Sequence, residues 1–133
     1  MSFRTYNGQD IDVEFNVKLC IHAAECVKGL PNVFDVDKRP WISPDNEVAD
    51  HVAEVVERCP SGALRYRRKD KEPNEKASTP TVIESDSSGK LFIRGHLNIE
   101  TDEKVLDTSR AILCGCGYSN NKPFCDNSDI CRN

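Results

Sequence analysis

Apolar and polar positions alternate cleanly near the start of the chain. Ile11, Val13 and Phe15 interleave with Asp12, Glu14 and Asn16, the two-residue period of a strand with one buried face. Asn7-Gly8 supplies a turn ahead of it, so residues 2–16 predict a short hairpin. Residues 20–28 have helical composition and stop at Gly29, with Pro31 just beyond. Residues 33–36 and 41–42 read as extended pieces around a polar turn at 37–40. A second helix is signalled by Ser43 as N-cap, Pro44 at the first helical position, and Asp45 and Glu47 near the positive dipole end. Val48, Val52, Val55, Val56 and Cys59 then share one stripe until Pro60 stops the helix. Residues 63–66 read as a strand. Residues 67–79 are charged, interrupted by Pro73, and read as a solvated linker. Beyond them, residues 81–84, 90–94 and 97–100 form short strands, with Ser87-Ser88-Gly89 and Gly95 as turns. Residues 110–113 lead into a cysteine-bearing loop. The fold class is α+β: a small α+β domain at 1–68, a linker at 69–79 and a small β-rich domain at 80–133.

Composition narrows the class. In 133 residues, 38% are hydrophobic and 30% charged, which describes a globular protein rather than a disordered one. No apolar run reaches membrane-helix length, and the first residues lack the layout of a signal peptide, so a cytoplasmic location is expected. Seven cysteines are many, and the number is odd. In a reducing compartment that points to metal ligation rather than a disulfide framework. Net charge is −5 over residues 1–64, +3 over 65–76 and −2 over 77–133. An acidic surface suits encounter with the basic face of a partner, and equally serves solubility. The basic run of Arg65, Arg67, Arg68, Lys69 and Lys71 has no aromatic stacking platform beside it, so nucleic acid is not expected as a partner.

Cys20, Cys26 and Cys59 form the first cysteine group, with Pro60 after the last. Thiolates from one loop plus a distant Cys-Pro are what a cubane iron–sulfur cluster takes. A bacterial ferredoxin loop carries a further cysteine where this chain has Ala23. Three thiolates hold a 3Fe–4S cluster, or a 4Fe–4S cluster whose fourth iron is bound by another group, for which His22 is the nearest candidate. The bland alternative is three inert buried thiols. The stretch from Lys18 through Cys20, Cys26 and Gly29 to Phe34 carries a resemblance, with Lys38-Arg39-Pro40-Trp41-Ile42 and Arg58-Cys59-Pro60-Ser61-Gly62-Ala63-Leu64. It is similar to the divergent single-cluster ferredoxin domain of bacteria. That resemblance implies a ferredoxin-like α+β fold with Cys20, Cys26 and Cys59 on the cluster.

The second group is Cys114-x-Cys116-x8-Cys125-x3-Asp129 on a loop stiffened by Pro123. The Cys-x-Cys pair suits two ligands on one iron, and Asp126 reads as the cap of a short helix from Asn127. Together with Ser119 and Ser128 the loop resembles the CDGSH iron–sulfur family, the mitoNEET-like proteins. The resemblance implies a 2Fe–2S cluster on three cysteines and one histidine. Here Asn127 stands in the glycine position and Asp129 in that of the histidine. Three readings stay open: Asp129 ligates directly, Cys131 swings in as a fourth thiolate, or the site takes something else, zinc included. An anionic ligand in place of neutral histidine lowers the reduction potential and weakens its link to pH. His51 and His96 belong to no catalytic constellation.

The expected function is that of a two-cluster iron–sulfur protein, not an enzyme, carrying single electrons between redox partner proteins. Cluster storage, transfer or sensing is the alternative, and a zinc-stabilised interaction module a third. No membrane partner is expected. Single CDGSH domains pair, so a homodimer is one expected assembly, with the fused ferredoxin domain competing for that surface.

Overall fold

The alternating segment becomes the centre of the first sheet. The computed structural model describes residues 3–21, 24–102, 104–115 and 117–126. Within them, β1 (Arg4–Tyr6), β2 (Ile11–Phe15) and β3 (Leu64–Arg68) pair antiparallel in that order. The register runs from Ile11 opposite Arg68 to Phe15 opposite Leu64. Ile11 and Val13 point to a core closed by Val52, Val55 and Val56 of α2 (Ala49–Glu57), with Val33, Phe34 and Ile42 beside them. The opposite face carries charge. Lys69 Nζ lies 2.9 Å from Asp12, and Arg65 Nε lies 3.3 Å from Glu14. The Arg65 guanidinium also stacks over the Phe3 ring. Arg68 pairs with Asp50 and Asp70, so much of the basic run is neutralised by nearby carboxylates.

Both helices start later than the sequence suggests. α1 spans only Glu25–Gly29, entered through Ala24 in a left-handed conformation, and the chain leaves β2 by a turn built on Asn16. Its Oδ1 accepts the Lys18 N–H at 3.0 Å and its carbonyl accepts the Leu19 N–H at 3.1 Å. A short polar side chain offering the backbone such bonds favours a turn. Pro44 opens only a single 3-10 turn (Pro44–Asn46), and the Ser43 side chain makes no cap bond. Asp45 is instead taken by the first hairpin, accepting the Gln9 N–H at 2.7 Å. Asn46 donates its side-chain amide to the Asn32 carbonyl. The helix resumes at Ala49, leaving Val48 exposed and outside the buried stripe.

Residues 69–81 contain no helix or strand, yet they are tied down. Asn74 Oδ1 accepts the Arg68 N–H, and Glu75 holds the guanidinium of Arg110. The second sheet is β4 (Val82–Ser85), β5 (Leu91–Glu100) and β6 (Val105–Leu113), antiparallel in that order. Gly95 is not a turn: β5 runs through it, with the register shifting between Arg94 and Leu97. Such a bulge bends a strand without ending it. β6 starts five residues before the expected lead-in, paired along its length with β5. Its first half, Val105–Thr108, shows no apolar–polar alternation in sequence, although Leu106 and Thr108 are its half-buried positions, so pairing rather than pattern defines it.

The two sheets share a core. Leu19, Ala63 and Phe124 are buried together, with Phe3 and Phe15 from one side and Ile99, Leu106 and Leu113 from the other packed against them. Among the described residues no helix is long and apolar enough to cross a membrane.

Candidate metal centre

The first cysteine group is assembled by three local devices. The Asn16 turn delivers Cys20, the Cys20 N–H donating to the Val17 carbonyl at 3.3 Å. Ala24 adopts a left-handed conformation (φ 64°) that reverses the chain into α1, placing Cys26 in its first turn. Cys59 follows α2, its N–H donating to Val56 O at 3.0 Å. All three side chains line one apolar cavity together with Phe15, Trp41 and Pro60. Trp41 meets Phe15 edge-on, ring centres 5.0 Å apart, and forms the wall of the cavity.

The electrostatics suit metal-bound sulfur rather than free thiolate. Burial pushes the Cys26 thiol up to about 11, and the neighbouring Cys59 and Cys20 add to the rise, while the Val27 N–H pulls against it. Cys26 is therefore protonated at neutral pH until a metal displaces the proton. The Ser61 hydroxyl lies 3.6 Å from Cys59 Sγ. Among the described residues no three His, Cys, Asp or Glu side chains converge as one bound ion requires. A shared, apolar cavity lined by three thiols fits a thiolate-held cluster. His22 and Ala23 lie outside the described residues.

The second group rests on a strand continuation. Leu113 pairs with Phe124, the Cys114 N–H donates to Pro123 O at 2.7 Å and the Cys125 N–H donates to Ile112 O at 2.9 Å. Cys114 and Cys125 each follow one member of the bridging pair, so the two-residue period puts both sulfurs on the same face of the ribbon. Ser119 is buried. Its hydroxyl donates to the Phe124 carbonyl and accepts the Asn121 N–H at 3.0 Å, bracing the loop from inside. The Asp126 carboxylate accepts the Asn120 N–H at 2.9 Å, a bond within the loop. Gly115 has no room for a side chain, because a Cβ there would collide with the Gly89 carbonyl oxygen. The Gly117 N–H donates to Cys114 Sγ at 3.2 Å, the kind of bond that stabilises a metal-bound thiolate. These positions fit a thiolate-held iron–sulfur group. Cys116, Asn127, Ser128, Asp129 and Cys131 lie outside the described residues.

The two loops touch. Ile21, next to Cys20, packs on Ile112 and Cys125, and the Asn121 amide donates to Lys18 O at 3.0 Å. Three contributors escaped the sequence reading: Asn16, Glu75 and Arg110. Asn16 was visible as a turn former between a strand and a cysteine. Arg110 and Glu75 gave no comparable signal, since each acts on residues far along the chain.

Comparison with known proteins bears on both groups. The family model for a divergent 4Fe-4S mono-cluster matches residues 6–69, and that for an iron-binding zinc finger of CDGSH type matches residues 88–128. "Uncharacterized protein YjdI" of Escherichia coli strain K12 is 45% identical over 67 residues, 50% of this chain and 88% of that protein. Its counterpart in Escherichia coli O157:H7 aligns with the same figures. No solved structure matches.

Proposed function

The chain belongs to the divergent 4Fe-4S mono-cluster family and carries a CDGSH-type iron-binding region behind it, and from that premise we propose that this iron–sulfur protein is a one-electron carrier between redox partners. The reading places a ferredoxin-like domain at 1–68 and a CDGSH-like domain at 80–133, in the cytoplasm. Cys20, Cys26 and Cys59 hold the first cluster. Cys114, Cys116, Cys125 and Asp129 hold the second, a 2Fe–2S group, with Cys131 as the rival fourth ligand. Bound clusters supply reversible one-electron couples; the chain supplies thiolates, low polarity and N–H donors that set their potentials. The observation that carries the reading is the packing of Ile21, from the first cysteine loop, against the buried pair of Ile112 and Cys125 at the second. Two cysteine groups held this close suit passage of charge, and nothing about storage requires it.

The test is EPR-monitored redox titration of the anaerobically purified full chain. Two signals that reduce and reoxidise without loss of iron are expected. Asp129→Ala should alter the 2Fe–2S signal while Cys131→Ser leaves it unchanged, and its potential should stay nearly flat between about pH 6 and 8, where histidine titrates. Zinc in place of iron and sulfide would end the reading.

A cluster donor is the second reading. Exposure of Gly115, Gly117 and Tyr118 favours it, because the turn of the second loop lies at the surface. Loss of the second cluster to an apo-acceptor, without reversible reduction, would put that reading first.

A further inference from the structure

Arg110 is a buried arginine, 2% exposed, in the strand that runs into Cys114. Its guanidinium leaves the second sheet and enters the first unit. Nη1 donates to the carbonyls of Val56, at 2.8 Å, and Cys59, and Nη2 donates to Leu64 O at 2.9 Å. Glu75 takes the remaining valences, accepting from Nε at 3.0 Å and from Nη2 at 2.9 Å. Val56 lies in the last turn of α2 and Cys59 just beyond it, at the negative end of the helix dipole, and the Val56 carbonyl takes the guanidinium as well as the Cys59 N–H. A cation there is stabilised, and its burial requires the carboxylate beside it.

The same short strand serves both cysteine groups. Cys114 lies four positions after the arginine bonded to Cys59, and between them Ile112 packs with Cys125 and Ile21. The backbone contact is equally close, since a Cβ on Gly62 would collide with the Arg110 carbonyl oxygen. Whatever orders the end of β6 therefore also orders the Cys59 turn.

We propose that Arg110 is a positioning residue that couples the two iron–sulfur sites: it holds the Cys59 backbone from the strand that carries Cys114, so that occupancy of each site strengthens retention of the other. Such coupling is reciprocal by thermodynamic necessity. The Arg110–Glu75 pair also sets the charge beside the first site, the guanidinium favouring the more negative reduced state and the carboxylate opposing it. The inference rests on the two-cluster reading above.

The experiment uses the full chain with both clusters loaded. Cys114→Ser, which empties the second site, should speed loss of the first cluster's EPR signal by about fivefold or more, within ordinary coupling strengths. In an Arg110→Gln background the same change should add nothing, the signature of a double-mutant cycle in which one residue carries the interaction. Arg110→Gln should move the first cluster's potential down and Glu75→Gln should move it up, opposite signs that a merely structural role does not produce. Arg110→Lys keeps the charge and should restore most of the potential without restoring the coupling. The Cys114→Ser and Glu75→Gln arms stand even if Arg110→Gln fails to fold. An unchanged loss rate after Cys114→Ser, additive effects in the cycle, or potentials moving together overturns the proposal. Absence of iron and sulfide from the second site in the unaltered chain overturns the two-cluster reading itself, and is read separately by metal analysis.

Discussion

A Cβ on Gly62 meets the Arg110 carbonyl oxygen, and the residue's φ of 75° is one that side chains rarely adopt. Both objections arise in the turn that follows Cys59, so the only side chain compatible with this approach is hydrogen. Gly62→Ala is expected to cost about 2 kcal/mol, more than a glycine replacement at an unstrained site, where alanine stabilises. Chemical denaturation of the loaded protein checks it; a variant as stable as the parent would mean that the turn stands clear of β6. Gly115 meets the steric objection alone, against the Gly89 carbonyl, which accounts for the glycine after Cys114. Asn16 works through hydrogen bonds instead of space. Its side chain and carbonyl turn the chain between β2 and Cys20.

At the level of elements, what could be read in advance was whatever depends on near neighbours. The alternation of Ile11, Val13 and Phe15 foretold β2 because burial of one face is written at every second residue. The Val52, Val55 and Val56 stripe foretold α2 for the same reason. The start of α2 was misplaced because Ser43, Pro44 and Asp45 make a plausible cap by local rules, while Asp45 is spent on Gln9 in a hairpin far back in the chain. The full length of β6 was hidden because Val105-Leu106-Asp107-Thr108 carries no apolar alternation, while the order of the segment comes from pairing with β5 and from Leu106 in the core between the sheets. The polar face of β2 carries a further consequence. Burial opposes ionisation of Asp12, but hydrogen bonds from Lys69 and the Gly8 N–H outweigh it, holding the carboxyl below the ordinary value of 3.8. A carboxyl whose native value is depressed stabilises the fold above the unfolded value and loses that contribution as pH falls through the native one. The protein should therefore weaken as pH drops below about 4, and Asp12→Asn should show a shallower decline over that range. Equal slopes in thermal melts of the two would show that the Lys69–Asp12 pair contributes nothing to acid sensitivity.

Across the whole molecule, the spacing of Cys20 with Cys26, and of Cys114 with Cys125, could be read because each pair shares one loop, whereas Cys59 reaches the first cavity from the far end of α2. The relation of the two groups to each other could not be read. Nothing in the spacing of Cys20 or Cys125 announces that Ile21 packs against Ile112 and Cys125, or that Leu19, Ala63 and Phe124 form one core. Phe124 is the residue on which that arrangement turns. It is 2% exposed, pairs with Leu113 across the second loop, precedes Cys125, and fills the space against Leu19 and Ala63 next to the first group. Removing a ring from such a position leaves a cavity and costs about 3–5 kcal/mol. If the core is common to both units, Phe124→Ala should lower iron and sulfide at both sites, and the broadened melt should show the two units parting company. If the units are independent, only the second site should suffer, because Phe124 lies in its loop and the first group would keep its own helices and sheet. Metal analysis of the purified variant, with EPR to assign the remaining signal, separates these outcomes: a fully retained first cluster would rule out a shared core as the link between the sites.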